Sequence, residues 1–215
     1  MIKVAIDSPA AAGAGTQAKL IAKHYNLLYL DTGKIYRVIG KNYIKNKNKI
    51  NLKKVRKIIS SLKIKDLYKK DLLSDQVGTA ASIIAKKLYI RKIVFKFQKK
   101  CAYLPPKKYD GSVLDGRDCT SVIVPDADFK FFITANLKSR ARRRYLELKK
   151  IKSNLSQSEV LKSIKKRDKS DYTRKISPLK KTKDSILINT TNLTKRACFL
   201  KIKKIMDKKI NNANL

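Results

Sequence analysis

Short apolar runs alternate with longer amphipathic segments along most of this chain. Helical spacing predicts helices at about Gly15–His24 and Lys34–Tyr43 and an amphipathic helix at the C-terminal end. The apolar runs predict five strands, Lys3–Ile6, Leu27–Leu30, Val113–Leu114, Phe129–Ile133 and Ile186–Ile188. Such alternation is typical of an α/β fold, here a doubly wound parallel sheet of five strands flanked by helices. Ligands of these sheets bind at the carboxyl ends of the strands.

Two segments depart from this alternation. The Lys- and Ile-rich stretch at about 45–75 predicts a short helix and a strand at Leu62–Leu67, an insertion that we expect to cap a ligand. The stretch Arg140–Pro178 has a helical pattern dense in cations, is interrupted near Ser153–Asn154 and stops at Pro178, which predicts a hairpin of helices able to close over a ligand. We expect one domain over 1–215, with this second insertion at about 145–180, and a disordered tail over 210–215.

The first predicted strand runs into a stretch with the outline of a phosphate-binding loop. The usual pattern G-x-x-x-x-G-K-[ST] surrounds phosphates with backbone N–H groups, adds a Lys and places a hydroxyl on Mg²⁺. Gly13 and the hydroxyl of Thr16 are present here, whereas Ser8 replaces the first Gly and Ala14 replaces the Lys. We expect the nucleotide-binding loop to consist of Ser8, Pro9, Ala10, Ala11, Ala12, Gly13, Ala14, Gly15 and Thr16.

The charge is strongly basic, with 53 Lys and Arg against 16 Asp and Glu, a net +37 in 215 residues. Such an excess indicates either a polyanionic partner or a biased composition with a solvated basic surface. Lys is spread over nearly every segment together with Ile and Asn, which favours the bias, whereas Arg concentrates between Arg117 and Arg174. We expect no specific nucleic-acid partner, although non-specific binding at low salt follows from the charge. A basic nucleic-acid-binding protein stays the competing class; aromatic RNA-binding motifs, zinc-ligand spacing and a helix-turn-helix are all missing from the sequence.

The cysteines and the single histidine carry no visible chemistry. Cys101, Cys119 and Cys198 are odd in number and widely spaced, which excludes a disulfide framework or zinc site and favours the cytoplasm, and Cys119 is interpreted as a small buried residue. His24 ends a predicted helix, where a cation suits the dipole, so we interpret it as structural. No apolar run is long enough to span a membrane and no targeting segment is indicated, so we expect no membrane partner. We also expect a monomer.

Three charged motifs follow the predicted strands in order. The first is Asp31-Thr32-Gly33-Lys34-Ile35-Tyr36-Arg37, the second is Asp115-Gly116-Arg117-Asp118, and the third repeats charges as Arg167, Asp171 and Arg174. The third spacing places its residues on one helical face. Each motif alone is weak because charge runs are usually solvated, but their order after a phosphate-binding loop is specific.

Together these motifs resemble bacterial cytidylate kinases. That family has the loop G-P-x-x-x-G-K-G-T, then L-D-[ST]-G-x-x-Y-R, D-G-R-D before a P-D-A turn, and R-D-x-x-D-x-x-R, and the resemblance runs from Ile2 to about Lys195. Adenylate kinases share the echo of Gly13–Gln17, but their D-G-F-P-R segment is replaced here by Asp115–Asp118.

The resemblance implies transfer of the γ-phosphoryl group of ATP to CMP or dCMP, with Mg²⁺ held through the nucleotide by Thr16. An acceptor phosphate is already anionic, so catalysis consists of positioning and charge neutralisation, for which arginine is suited. By position, Arg37 and Arg117 take the acceptor phosphate, with the hydroxyl of Thr32 beside them. Cytosine contacts fall to Ser82, Arg91 and Asp118, the ribose to Arg167 and Asp171, and a clamp on the transferring group to Arg167 and Arg174.

The chain departs from the family at the loop lysine. Ala14 stands at that position, while Lys34 stands where the second motif usually has a small residue such as Ala. We hypothesise that Lys34 replaces the missing charge; Lys19, three residues past Thr16, should point away. The alternatives are that Lys34 is one more surface lysine, and that the chain is a nucleotide-binding homologue with weak or no activity.

Overall fold

A parallel sheet of five strands forms the centre of the computed structural model, which describes residues 1–149 and 155–213. Its spatial order is β2-β3-β1-β4-β5, and every neighbouring pair is parallel. The strands are β1 (Ile2–Asp7), β2 (Leu27–Asp31), β3 (Gly111–Gly116), β4 (Phe129–Thr134) and β5 (Ile186–Asn189). This confirms the predicted five-stranded α/β fold, with each strand extending one or more residues beyond its apolar run.

Helices cover both faces of this sheet. They are α1 (Ala14–His24), α2 (Thr32–Lys45), α3 (Leu52–Ser61), α4 (Asp75–Ile84), α5 (Leu88–Tyr103), α6 (Leu137–Lys149), α7 (Gln157–Thr173) and α8 (Lys195–Ala213). Alternation along β1 divides the core between the two faces: Val4 and Ile6 pack on the α1 and α8 side, whereas Ala5 packs on the α2 and α5 side. Because both faces are buried, the middle of each central strand is apolar, as at Val4–Ile6, Val113–Leu114 and Phe131–Ile133.

The predicted strand at Leu62–Leu67 is wrong. Two 3₁₀ turns, Ile64–Tyr68 and Lys70–Leu73, occupy this part of the insertion after α3. The alternation of Leu62, Ile64 and lysines suggested a strand, but no neighbouring strand is available to it. Leu67 and Leu72 are instead almost fully buried against the helices, which is how the turns contribute to the core.

The C-terminal tail is more ordered than the sequence indicated. Helix α8 continues to Ala213, so the predicted disorder is wrong for residues 210–213, while residues 214–215 lie outside the described part. Ile210 packs against the core cluster that contains Ile202 and Met206, which explains why the helix persists.

Helices α6 and α7 form the predicted helical pair, and they pack against the loop that follows β1. Ala141 of α6 and Val160 and Ile164 of α7 are buried in one cluster with Ala10. The break expected near Ser153–Asn154 lies outside the described residues. Helix α7 ends at Thr173, several residues before Pro178, so Arg174 lies beyond the helix rather than on its face.

No helix among residues 1–149 and 155–213 is long and apolar enough to cross a membrane. Cys101, Cys119 and Cys198 are all buried and unpaired with one another. Burial raises the pKa of the Cys119 thiol well above its ordinary range, with Asp7 and Asp118 adding to the shift, so this residue packs as a small apolar group.

Candidate active site

The loop Ser8–Thr16 joins the carboxyl end of β1 to α1. Gly13 has φ 96°, a left-handed conformation that glycine adopts freely, and no side chain caps the helix that begins at Ala14. Ala11 is also left-handed, with φ 59°, although it carries a Cβ. Unsatisfied N–H groups at a helix start and its positive dipole end favour an anion, which makes this loop suitable for a phosphate.

Asp7 fixes the segment that follows β3 beside this loop. Its carboxylate is fully buried and accepts hydrogen bonds from Cys119 N at 2.7 Å, Thr120 N at 2.8 Å and the Thr120 hydroxyl at 2.6 Å. Burial raises its pKa to about 6, although these three hydrogen bonds oppose the shift. Asp7 therefore positions the Asp118 turn, and sequence reasoning assigned it no role because its partners lie more than 100 residues away.

The start of α2 is built by the Asp31–Arg37 motif. Asp31 is the N-cap, and its side chain accepts a hydrogen bond from Lys34 N at 3.2 Å. Thr32 donates its hydroxyl to the Asp115 carbonyl at 2.9 Å, which ties α2 to β3. One turn later, Arg37 donates to the carbonyls of Leu72 at 2.7 Å and Ser74 at 3.2 Å, and so contacts the insertion. These hydrogen bonds fix the positions of Thr32 and Arg37 within the protein itself.

Asp118 and Arg91 form a buried ion pair at the site, with both side chains less than 10% exposed. The Arg91 guanidinium also lies over the ring of Tyr36, 5.6 Å from its centroid. Arg174 approaches the second oxygen of Asp118 at 3.9 Å. The structure therefore brings two of the three predicted cytosine contacts into direct contact, which the sequence spacing of 27 residues did not require.

The third predicted cytosine contact, Ser82, lies in the last turn of α4. Its hydroxyl donates to the Gly78 carbonyl one turn earlier, at 3.1 Å. Helices α2 and α4 approach closely at Gly40, because a Cβ there would lie 2.8 Å from the Ala81 backbone nitrogen. This close contact fixes the position of Ser82 relative to α2.

Asp171 is the centre of a cluster of three arginines. Arg117 donates through Nε to Asp171 at 2.8 Å, while Arg174 lies 3.8 Å and Arg167 4.0 Å from the same carboxylate. Arg117 and Arg174 are mostly buried, whereas Arg167 keeps 45% of its side chain exposed. Since Arg174 also approaches Asp118, which pairs with Arg91, four guanidinium groups share two carboxylates here, and this leaves an excess of positive charge for an anionic ligand.

A second buried ion pair, which the sequence analysis did not identify, joins α7 to the loop. Asp168 accepts a hydrogen bond from Ala10 N at 3.1 Å and pairs with Arg140 of α6. Arg140 also donates to the carbonyls of Ala10 at 3.1 Å and Ala135 at 2.9 Å. Asp168 directly follows Arg167 in the third motif, so its place in that motif was the available signal.

Lys34 in the first turn of α2 and Asp115 near the end of β3 influence each other electrostatically. Burial lowers the pKa of Lys34, as do the charges of Lys19 and Arg37, while Asp31 and Asp115 act in the opposite direction. Burial, with the charge of Asp31, raises the pKa of Asp115. The Asp115 atom Oδ1 is buried without a hydrogen-bond partner among the described residues. An orphaned acceptor at this position is suited to a ligand or to a cation.

No group of three or more His, Cys, Asp or Glu residues able to hold a metal occurs in the part of the chain that the structure describes. His24 lies away from these motifs, with its ring edge-on to Tyr25 and Phe199 at 4.7 and 5.6 Å.

A parallel sheet with a phosphate-binding loop after its central strand, and arginine clusters at the same edge, defines a P-loop phosphotransferase of the nucleoside monophosphate kinase type. The sequence model of the cytidylate kinase family matches residues 4–208. This chain belongs to the cytidylate kinase family.

Individual relatives agree with the family assignment. A cytidylate kinase of Bartonella tribocorum is 42% identical over 199 residues, covering 91% of this chain and 90% of the relative. A cytidylate kinase of Clostridium tetani is 38% identical over 222 residues, covering 97% and 95%. Among solved structures, an uncharacterized protein from Eubacterium ventriosum shares the fold at 18% identity, with a TM-score of 0.56 over 96% of this chain and 99% of that one.

Proposed function

We propose that this protein transfers the γ-phosphoryl group of ATP to CMP or dCMP and releases the diphosphate. The observation that carries this proposal is the buried Asp118–Arg91 pair. A carboxylate accepts from the exocyclic amine of cytosine, and a guanidinium donates to its N3 and O2 acceptors. Uracil would present a carbonyl to Asp118 and an N–H to Arg91, so both contacts would be mismatched.

The arginines supply the charge that phosphoryl transfer needs. Arg37 and Arg117 are assigned to the acceptor phosphate, Arg167 and Asp171 to the ribose, and Arg167 with Arg174 to the transferring group. The acceptor phosphate attacks as an anion, so the site needs no general base. The excess of arginine around Asp171 and Asp118 supports this assignment, because four guanidinium groups share these two carboxylates.

Magnesium fits the oxygen donors near the loop. The Thr16 hydroxyl and the orphaned Asp115 Oδ1 are hard oxygen ligands of the kind Mg²⁺ prefers, and they would hold it together with the nucleotide. When bound, the ion supplies charge neutralisation at the β- and γ-phosphates. The loop backbone binds the phosphates. Thr16 is exposed, so its hydroxyl is accessible to the bound nucleotide.

Within this proposal, the segment at about 45–75 closes over the acceptor nucleotide and the helices at about 145–180 form a lid. The cytoplasm and a monomeric state remain predictions from the sequence. The single domain over 1–215 likewise remains a prediction from the sequence.

A coupled assay of ADP release tests the proposal, with CMP, dCMP, UMP and AMP as acceptors. We expect turnover with CMP or dCMP, weak turnover with UMP and none with AMP. ATP binding without release on any acceptor would favour the inactive-homologue alternative. Neither ATP binding nor turnover, together with salt-dependent binding of a random RNA, would favour the nucleic-acid alternative.

A further inference from the structure

The loop of this protein carries a methyl group where its family has an ammonium group. Ala14 is 4% exposed and packs in the core cluster of β1 and α1. Catalysis of phosphoryl transfer depends on charge held at the donor phosphates. A cation from another element can supply this charge in its place.

Asp115 marks the space beside the loop. A Cβ placed on Gly15 would lie 3.3 Å from Asp115 Oδ2 and 3.3 Å from the Tyr29 hydroxyl, so the carboxylate lies directly against the loop backbone. The register of the sheet explains this contact, because Asp115 of β3 is paired with Ile6 of β1 on one side and with Asp31 of β2 on the other.

Lys34 projects its charge into the same space. Its ammonium interacts electrostatically with Asp31 and Asp115, and with Lys19 on α1, the helix that the loop begins. Lys19 itself is exposed. Lys34 is therefore a partly buried cation whose charge acts on the carboxylate beside the loop and on Lys19 of the first helix.

The ammonium of Lys34 is held by an aromatic ring. It lies 4.8 Å from the ring centroid of Tyr68, and the Tyr68 hydroxyl donates to the Tyr29 carbonyl at 3.4 Å. A cation in the first turn of a helix is opposed by the helix dipole. Asp31 and the ring of Tyr68 offset this cost in the ligand-free protein, and a phosphate would offset it further.

We propose that the Lys34 ammonium binds the β- and γ-phosphates of the donor nucleotide and replaces the lysine that the loop lacks at position 14. This rests on the proposed function and identifies the group that neutralises the donor. Lysine is suited to the task because its charge is compact and its four-carbon stem can swing from Tyr68 toward the loop. Asp31 orients the backbone of Lys34 through the cap.

Three variants test this assignment, with turnover and binding measured separately. For Lys34→Ala we expect kcat to fall by roughly 10²–10³ with a nearly unchanged KM for CMP. Binding of ATP should weaken at least about tenfold, whereas binding of AMP, which has no β- or γ-phosphate, should not change. The double variant Ala14→Lys with Lys34→Ala should have a kcat at least about tenfold higher than Lys34→Ala alone, because an ammonium group is restored at the loop. Lys19→Ala is the matched control and should behave as wild type.

Several results would overturn the assignment. They are a Lys34→Ala kcat within about threefold of wild type, an equal loss of ATP and AMP binding, or a loss as large in Lys19→Ala. A wild-type protein that turns over no nucleotide would defeat the proposed function instead. In that case the comparison of ATP with AMP binding still tests Lys34, because it needs no turnover.

Discussion

The backbone N–H of Ala10 in the loop donates to Asp168 Oδ1 of α7 at 3.1 Å, across 158 residues of sequence. The other oxygen of Asp168 is paired with Arg140, and both side chains are almost fully buried. Helix α7 thus contacts the phosphate-binding loop through a charged pair as well as through the apolar cluster at Ala141.

The Asp168–Arg140 pair should dominate the stability of this contact. Asp168→Asn keeps an acceptor for Ala10 N–H but leaves the Arg140 charge buried without its partner. We expect the free energy of unfolding to fall by about 3–5 kcal/mol, measured by urea denaturation. Asp184→Asn, which breaks the exposed pair with Lys130, is the control and should leave the midpoint close to wild type. Equal effects of the two substitutions would contradict the prediction.

Asp118 should determine the choice of pyrimidine. In Asp118→Asn the side chain can donate to the O4 carbonyl of uracil, so the preference for CMP over UMP in kcat/KM should fall at least about tenfold. Asp126→Asn provides the control in the same segment between β3 and β4, since Asp126 is exposed and pairs with Lys3 and Tyr103 instead. An unchanged ratio of CMP to UMP in Asp118→Asn would rule out a base contact by this carboxylate.

Asp7 should make stability depend on pH in the acidic range. Its pKa is about 6 in the folded protein against an ordinary 3.8, so the folded state keeps a proton that the unfolded chain has already lost. The contribution of Asp7 to the free energy of unfolding is therefore fully present below about pH 4 and is lost as the pH rises through about 6. Between pH 4 and 7, the free energy of unfolding measured by urea denaturation should fall on the order of 3 kcal/mol further in wild type than in Asp7→Asn. Parallel curves for the two proteins would refute the shift.

Ala11 should be a site where glycine is better. Its φ of 59° costs an alanine free energy that glycine does not lose, so Ala11→Gly should raise the free energy of unfolding by about 1 kcal/mol. Ala18→Gly, inside α1 and fully buried, should lower it by about 1 kcal/mol or more. The opposite signs can be read from thermal unfolding, and a loss of stability in both variants would contradict the strain at Ala11.

The sequence predicted the sheet well because its strands are buried on both faces. Apolar runs mark such strands, but they end before Asp7, Asp31 and Asp115, which complete β1, β2 and β3 and stand at the site. The strand expected at Leu62–Leu67 failed because an alternating pattern does not reveal whether a partner strand exists. Ile210 illustrates the converse, since its contact with α8 neighbours in the core outweighs an Asn-rich composition.

The motifs of the site could be predicted from the sequence, whereas the ion pairs and hydrogen bonds that connect them could not. Residues Arg91, Asp118, Asp171 and Arg174 were selected by position in the sequence, and the structure places them in two linked ion-pair clusters. Asp7, Arg140 and Asp168 were missed because each acts on a segment distant in sequence. Spacing shows which residues share a helix face, whereas partners more than 100 residues apart become visible only after folding.

Lys34 and Arg37 lie one turn apart on α2, with Lys34 proposed for the donor and Arg37 for the acceptor. Residues three apart on a helix have Cβ atoms roughly 5–6 Å from each other. In this protein α2 would therefore fix the distance between the cation that binds the donor and the cation that binds the acceptor. A tilt of α2 would move both cations together, so the distance between the two charges would stay constant while the loop backbone holds the donor phosphates.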